Sequence, residues 1–138
     1  MDKGLNYLAL ARKAQLAELG EEPAGAAARS GKAYAILVAQ DASDHTWRRA
    51  KSYAAGTEQQ CVRLPYSKEE MGFVVGRSSL AIAAITDPSM ALALVSSLPG
   101  QENYRQALEV LTQKAARARK RQSEAKAHQR NLRRGKKK

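Results

Sequence analysis

The chain has 138 residues, 43% of them hydrophobic and 5% aromatic, and a net charge of +11 that is unevenly placed: Lys114 to Lys138 hold 12 Lys and Arg against one acid, Glu124, while the first 113 residues carry 12 basic and 12 acidic groups. The length excludes more than one ordinary domain, the single Cys61 excludes an intramolecular disulfide or a multi-cysteine zinc site, and the low aromatic content argues against a platform of several stacked rings. What remains is a neutral body with a cationic arm suited to a polyanion, because each phosphate that a Lys or Arg neutralises releases a condensed counterion; an anionic membrane surface is the competing partner.

Leu5, Leu8, Ala9 and Arg12, with Lys13 on the other side, predict a short amphipathic helix ending near Ala14. Gly20, Glu21, Glu22 and Pro23 predict a helix start, with Pro at the first helical position and acids near the positive end of the dipole. The run Ala24-Gly25-Ala26-Ala27-Ala28 gives that helix so little bulk that a sheet or a ligand can approach its backbone, and Ser30-Gly31 close it.

Ala33 to Ala39 is a continuous apolar run and predicts a strand buried on both faces; its seven residues are too few to span a bilayer. Asp41 and Ser43 are expected to cap a helix reaching about Ala55 and closed by Gly56. Cys61 to Leu64 reads as a short strand ended by Pro65, and Ser67 with Glu70 as a capping box for a helix stopping at Gly76. Leu80 to Thr86 is another buried strand, and Asp87-Pro88 opens a helix over Ser89 to Leu98.

Strands alternating with helices predict the α/β class, a three-layer α/β/α sandwich with a mixed central sheet, followed by a basic C-terminal helical tail. The expected boundaries are a domain over residues 1–98 and a linker and tail over 99–138. In the second segment Asn103 and Gln106 are expected to cap a helix, whose Tyr104, Leu108, Leu111 and Ala115 form an apolar stripe able to dock on the domain. Gly135 to Lys138 are expected to be disordered. With no secretory pattern before the short apolar stretch Tyr7 to Ala11, the expected location is the cytoplasm.

Catalytic signals are sparse. Asp41, Ser43, Asp44 and His45 cluster after a buried strand, yet Asp41 and Ser43 already serve as caps, and a nucleophile needs both a base and an orienting group. His45 and His128 are too far apart in sequence to imply a metal site, and Gly72 to Gly76 lacks the strand, turn and helix order of a nucleotide fingerprint. Neither enzymatic activity nor a cofactor is expected.

Three segments taken together carry a family resemblance: Gly31-Lys32-Ala33 with Ile36 to Ser43, Met71-Gly72 with Gly76-Arg77-Ser78, and Ala84-Ile85-Thr86-Asp87. With Leu10 to Ala14 and Gly20-Glu21-Glu22 upstream, their order and spacing resemble the small kink-turn-binding ribosomal protein family, the L-seven-Ae and L-thirty-e superfamily, and in particular its bacterial YlxQ-type branch. The resemblance covers roughly Leu5 to Leu98 and implies the same α/β/α sandwich and binding of structured RNA.

It also implies that Gly20 to Ala26 enter the RNA major groove and read sheared G·A pairs, and that Gly76, Arg77, Ser78 and Ser79 pack on an extruded base. Gly20, Glu21 and Glu22 match this pattern; Pro23 stands where kink-turn binders carry a polar reader, and Ala26 where they carry a lysine. Arg29 and Lys32 are counted with the RNA-binding residues, and Arg117, Arg119, Lys120 and Arg121 with the phosphate contacts of the tail, which position without reading sequence.

The expected function is therefore non-catalytic binding of structured RNA, ribosomal or ribosome-associated, with ribosomal proteins as further partners and no membrane partner. The competing expectation is a protein-interaction module on the same fold, associated with ribosome or nucleoid and without kink-turn recognition.

Overall fold

The computed structural model describes residues 2–136. Six helices and four strands alternate: α1 Lys3–Lys13, β1 Ala17–Leu19, α2 Glu21–Arg29, β2 Ala35–Val38, α3 Asp44–Ala54, β3 Gln60–Arg63, α4 Lys68–Val74, β4 Ile82–Ile85 and α5 Pro88–Ser96. A 3-10 turn, Gln101–Tyr104, then leads into α6 Arg105–Lys136.

The strands form one mixed sheet in the order β1-β4-β2-β3, in which only β2 and β3 are parallel. Helices α2 and α3 pack on one face and α1, α4 and α5 on the other, giving the expected sandwich. This layering explains the two apolar runs: every residue of the central strands β2 and β4 is buried, because both of their faces are covered. Ile36, Leu37, Val38, Ile82 and Ile85 form the middle of the core, which extends past Leu98 to Ala107 and Leu111 on α6.

Several local signals act as the sequence implies. Ser67 and Glu70 form a complete capping box at α4, and Asp87 caps α5 with Pro88 at its first position. Others differ. Pro23 is the third residue of α2, whose cap is Gly20 with a φ of 95°. Ser43 alone caps α3, since the Asp41 carboxylate accepts instead from the Lys68 N–H at 2.8 Å and so caps α4.

Asn103 makes no cap for α6; Gly100, at φ 70°, opens the 3-10 turn that feeds it. Gly135 and Lys136, expected to be disordered, continue α6, while Lys137 and Lys138 lie outside the described residues. Among the described residues, no helix is long and apolar enough to cross a membrane.

Candidate nucleic-acid interface

Sheet order brings two distant segments to one end of the molecule. The Gly20 N–H donates to the Ile82 carbonyl at 2.9 Å, which sets the start of α2 beside the start of β4 and hence beside the loop that precedes it. From that loop Arg77 extends its guanidinium to 3.5 Å from the Leu19 carbonyl oxygen. Gly20 takes a φ of 95°, a conformation that favours glycine, and a Cβ there would only touch the same guanidinium, at 3.5 Å.

The loop itself is held against α4. The Arg77 N–H donates to the Gly72 carbonyl at 2.8 Å, Gly76 takes a left-handed φ of 73°, and the Leu80 N–H returns to the Lys68 carbonyl at 2.9 Å. Gly72 allows this fold-back, because a side chain there would run into the backbone of Arg77 and Ser79.

On α2, Glu21 is gripped by α3: Thr46 Oγ1 donates to it at 3.1 Å and Arg49 pairs with its other oxygen at 3.5 Å. Both contacts leave lone pairs on a half-exposed carboxylate, and they fix its direction. Glu22, Pro23 and Ala26 face outward. The small residues of this helix serve the fold: Ala24, Ala27 and Ala28 are buried, and Gly25 admits Tyr53 of α3, whose hydroxyl would lie 2.8 Å from a Cβ.

Arg29 ends α2 and Lys32 lies just past it, on a different side. The Arg29 guanidinium reaches back toward Gly25 on the α3 side, whereas Lys32 lines a hollow of about 250 Å³ with Pro23, Ala26 and Thr86.

The tail cations are remote from Gly20 and Arg77. The Tyr104 hydroxyl donates to the Arg63 carbonyl at the end of β3, while Lys114 pairs with Glu58, which precedes β3, so α6 runs antiparallel to that strand. Arg63 shares a row with Val38 and Ile82, the row that carries Gly20. The tail thus leaves from the opposite end of the sheet, with Arg121 roughly 25 Å of helix beyond Tyr104 at 1.5 Å per residue. Arg117 stays near the body: with Lys114, whose hydrogen bond has the larger effect, its charge holds the Glu58 carboxyl below its ordinary value. Arg119, Lys120 and Arg121 are exposed.

Sequence reasoning passed over Thr46 and Arg49, which orient Glu21, and Phe73, which stands 77% exposed on α4 just before the Arg77 loop. An acid in the first turn of α2 and a hydroxyl in that of α3 were visible, but nothing local told that they meet. Among the described residues, no group of three His, Cys, Asp or Glu could hold a metal ion. Burial pushes the Cys61 thiol up to about 11, well away from a reactive thiolate.

Comparison with solved structures places this architecture among known ones. A protein with unknown function from Bacillus halodurans C matches 70% of this chain and 96% of its own at 20% identity, with a TM-score of 0.65. The Giardia lamblia 15.5kD RNA binding protein matches 81% of this chain and 84% of its own at 17% identity, with a TM-score of 0.53. The likeness is one of fold. No protein-family model matches the chain, and no curated protein matches it.

Proposed function

We propose that this protein binds structured RNA without catalysis, through the end of the sheet where the start of α2 meets the Arg77 loop. The observation that carries the reading is the approach of Arg77 to Leu19 and Gly20, which sets a cation at the start of α2, where Glu21 and Glu22 follow. Carboxylates repel phosphate and accept only from donors such as base amino groups, so Glu21 and Glu22 beside Arg77 suit a ligand offering both base edges and backbone. The RNA-binding function of the Giardia protein of similar fold supports the same choice.

A kink-turn in ribosomal or ribosome-associated RNA is the ligand we favour within that class. Its sheared pairs expose the groups that Glu21 and Glu22 can accept from, and an extruded base would meet the Gly76-to-Ser79 loop beside the exposed Phe73. We place the domain at residues 1–98, with the buried stripe of α6 through Ala115 docked on its core, and the remainder of the segment 99–138 as linker and phosphate-contacting tail; its site of action is the cytoplasm, with ribosomal proteins as neighbours.

Binding of a blunt kink-turn hairpin and of a plain duplex of equal length, followed by fluorescence anisotropy of labelled RNA, tests the reading. The expected result is tighter binding of the kink-turn, reduced about tenfold by Arg77→Ala, the scale of losing one charged contact. Equal binding of the two RNAs, unaffected by that substitution, would remove RNA from this surface and leave the exposed Phe73 as a protein contact.

A further inference from the structure

The open edge of the sheet carries a second, unassigned surface. β3 pairs only with β2, and a groove of about 490 Å³ runs beside it between the first turn of α3 and the start of α6. Trp47 lies in this groove with two cations over its ring: the Lys51 ammonium is 5.4 Å and the Arg63 guanidinium 4.9 Å from the ring centroid. Both cations are exposed, and among the described residues neither has a carboxylate within ion-pairing distance.

Two like charges gathered over one indole repel each other, so the cluster is stabilised by an anion placed between them. Gln40, Asn103 and Gln106 complete the lining with amide donors and acceptors. The Tyr104 hydroxyl, donating to the Arg63 carbonyl at 3.0 Å, ties the start of α6 to the strand that bears Arg63. A larger hollow along α6, about 660 Å³, presents Glu102 and Glu109 with Arg105 and no aromatic ring.

A guanidinium laid on an aromatic ring, a second unpaired cation and amides match a nucleotide, which offers a base to stack, a phosphate and a polar base edge. We propose that this groove takes an unpaired ribonucleotide from a single-stranded stretch of the RNA held at the Arg77 loop, its base stacked on the Arg63 guanidinium that covers Trp47 and its phosphate against Lys51. The proposal rests on the RNA-binding reading above.

Position favours a strand over a free nucleotide. Trp47 follows Thr46, the residue that holds Glu21, and Arg63 lies at the same end of the sheet as Gly20. From β1 to β3 is three inter-strand spacings, about 14 Å, which about four nucleotides cover at 3.4 Å each.

Trp47 is the only tryptophan of the chain, so its fluorescence reports this groove alone. The titrations use the full chain with four probes: a blunt kink-turn hairpin, the same hairpin with a six-nucleotide single-stranded adenosine extension, hexameric oligoadenylate, and AMP. The extended hairpin is expected to quench Trp47 and the blunt one to bind without quenching. The double variant Lys51→Ala, Arg63→Ala should bind the extended hairpin at least about fivefold more weakly, the scale of one lost stacked base, and the blunt one equally well.

Both substituted side chains are exposed, so a melting curve like that of the parent protein is expected to accompany the loss. Equal quenching by blunt and extended hairpins, or unchanged affinity of the double variant for the extended one, overturns the proposal. AMP binding as tightly as hexameric oligoadenylate also overturns it in favour of a free-nucleotide site. Failure of the kink-turn reading shows separately, as equal anisotropy with the blunt hairpin and the plain duplex.

Discussion

Gly72 and Ser79 touch so closely that a Cβ on the glycine would lie 2.7 Å from the Ser79 backbone nitrogen. The Arg77 carbonyl is almost as near, at 2.9 Å. Neighbours that are backbone cannot rotate away, so a side chain at Gly72 has to displace the whole loop.

Gly72→Ala is therefore expected to cost about 1–3 kcal/mol of stability, the usual scale of overpacking. It should also weaken RNA binding as much as Arg77→Ala does, because the loop carries the guanidinium away from Leu19. A thermal melt and a binding curve on this variant check both effects; unchanged RNA affinity would show that the loop position is immaterial.

Ala26→Lys should leave stability within about 0.5 kcal/mol, since Ala26 faces outward and Lys is nearly as good a helix former as Ala. If α2 lies in an RNA groove, the new ammonium adds a base contact and improves discrimination of a kink-turn over a plain duplex by about 1–3 kcal/mol. Parallel titrations of both RNAs measure it, and a gain equal for the two would reduce the lysine to a phosphate contact.

A chain ending at Ala116 keeps the buried Ala107, Leu111 and Ala115 and should melt cooperatively near the temperature of the full chain. Its RNA affinity should fall for every sequence alike, with the salt slope reduced by about 0.7–0.9 per lost phosphate contact. Because the tail leaves from the end of the sheet opposite Arg77, its removal and Arg77→Ala should add to within about 0.5 kcal/mol. A larger coupling would place tail and loop on one contact.

Asp2 and Tyr66 form a titrating pair at the start of α1. The hydrogen bond from the Tyr66 hydroxyl, with the Gly4 N–H, holds the Asp2 carboxyl below its ordinary value, while burial and that same bond push the Tyr66 phenol up. The Asp2 contribution is complete above about pH 4 and lost as pH falls through its lowered value; the Tyr66 contribution is complete below about pH 10 and lost as pH rises beyond it. The difference in melting temperature between the parent chain and Tyr66→Phe should thus be constant from about pH 5 to 9 and shrink toward both extremes.

The parts of the fold legible in the sequence are those set by local chemistry. The apolar runs around Ile36 and Ile82, the Ser67 and Glu70 box and Asp87-Pro88 each announce themselves within a few residues. Strand β1 does not, because Ala17–Leu19 has neither length nor an apolar pattern and exists by pairing with β4. Asp41 was equally illegible: two helix starts lie within its reach, and only the folded chain shows that it serves the later one.

The same division holds for the site. Gly20 and Arg77 were named by resemblance, yet their adjacency follows from the Gly20 bond to Ile82, a consequence of sheet order. Trp47 carries no local sign of its surroundings; its two cations arrive from Lys51 one turn on and from Arg63 on a different element.

The direction of α6 bears on how an encounter unfolds in time. A neutral body with its excess positive charge on a projecting rod has a strong electrical polarity, so the field of a polyanion turns the rod toward it before any surface touches. Capture then begins at the tail, at a rate that falls steeply with ionic strength, and the opposite end finds its place afterward while the protein is already tethered. Shortening the rod slows arrival, whereas damage near Gly20 hastens departure, so the two ends of one small protein govern opposite halves of its residence on a target.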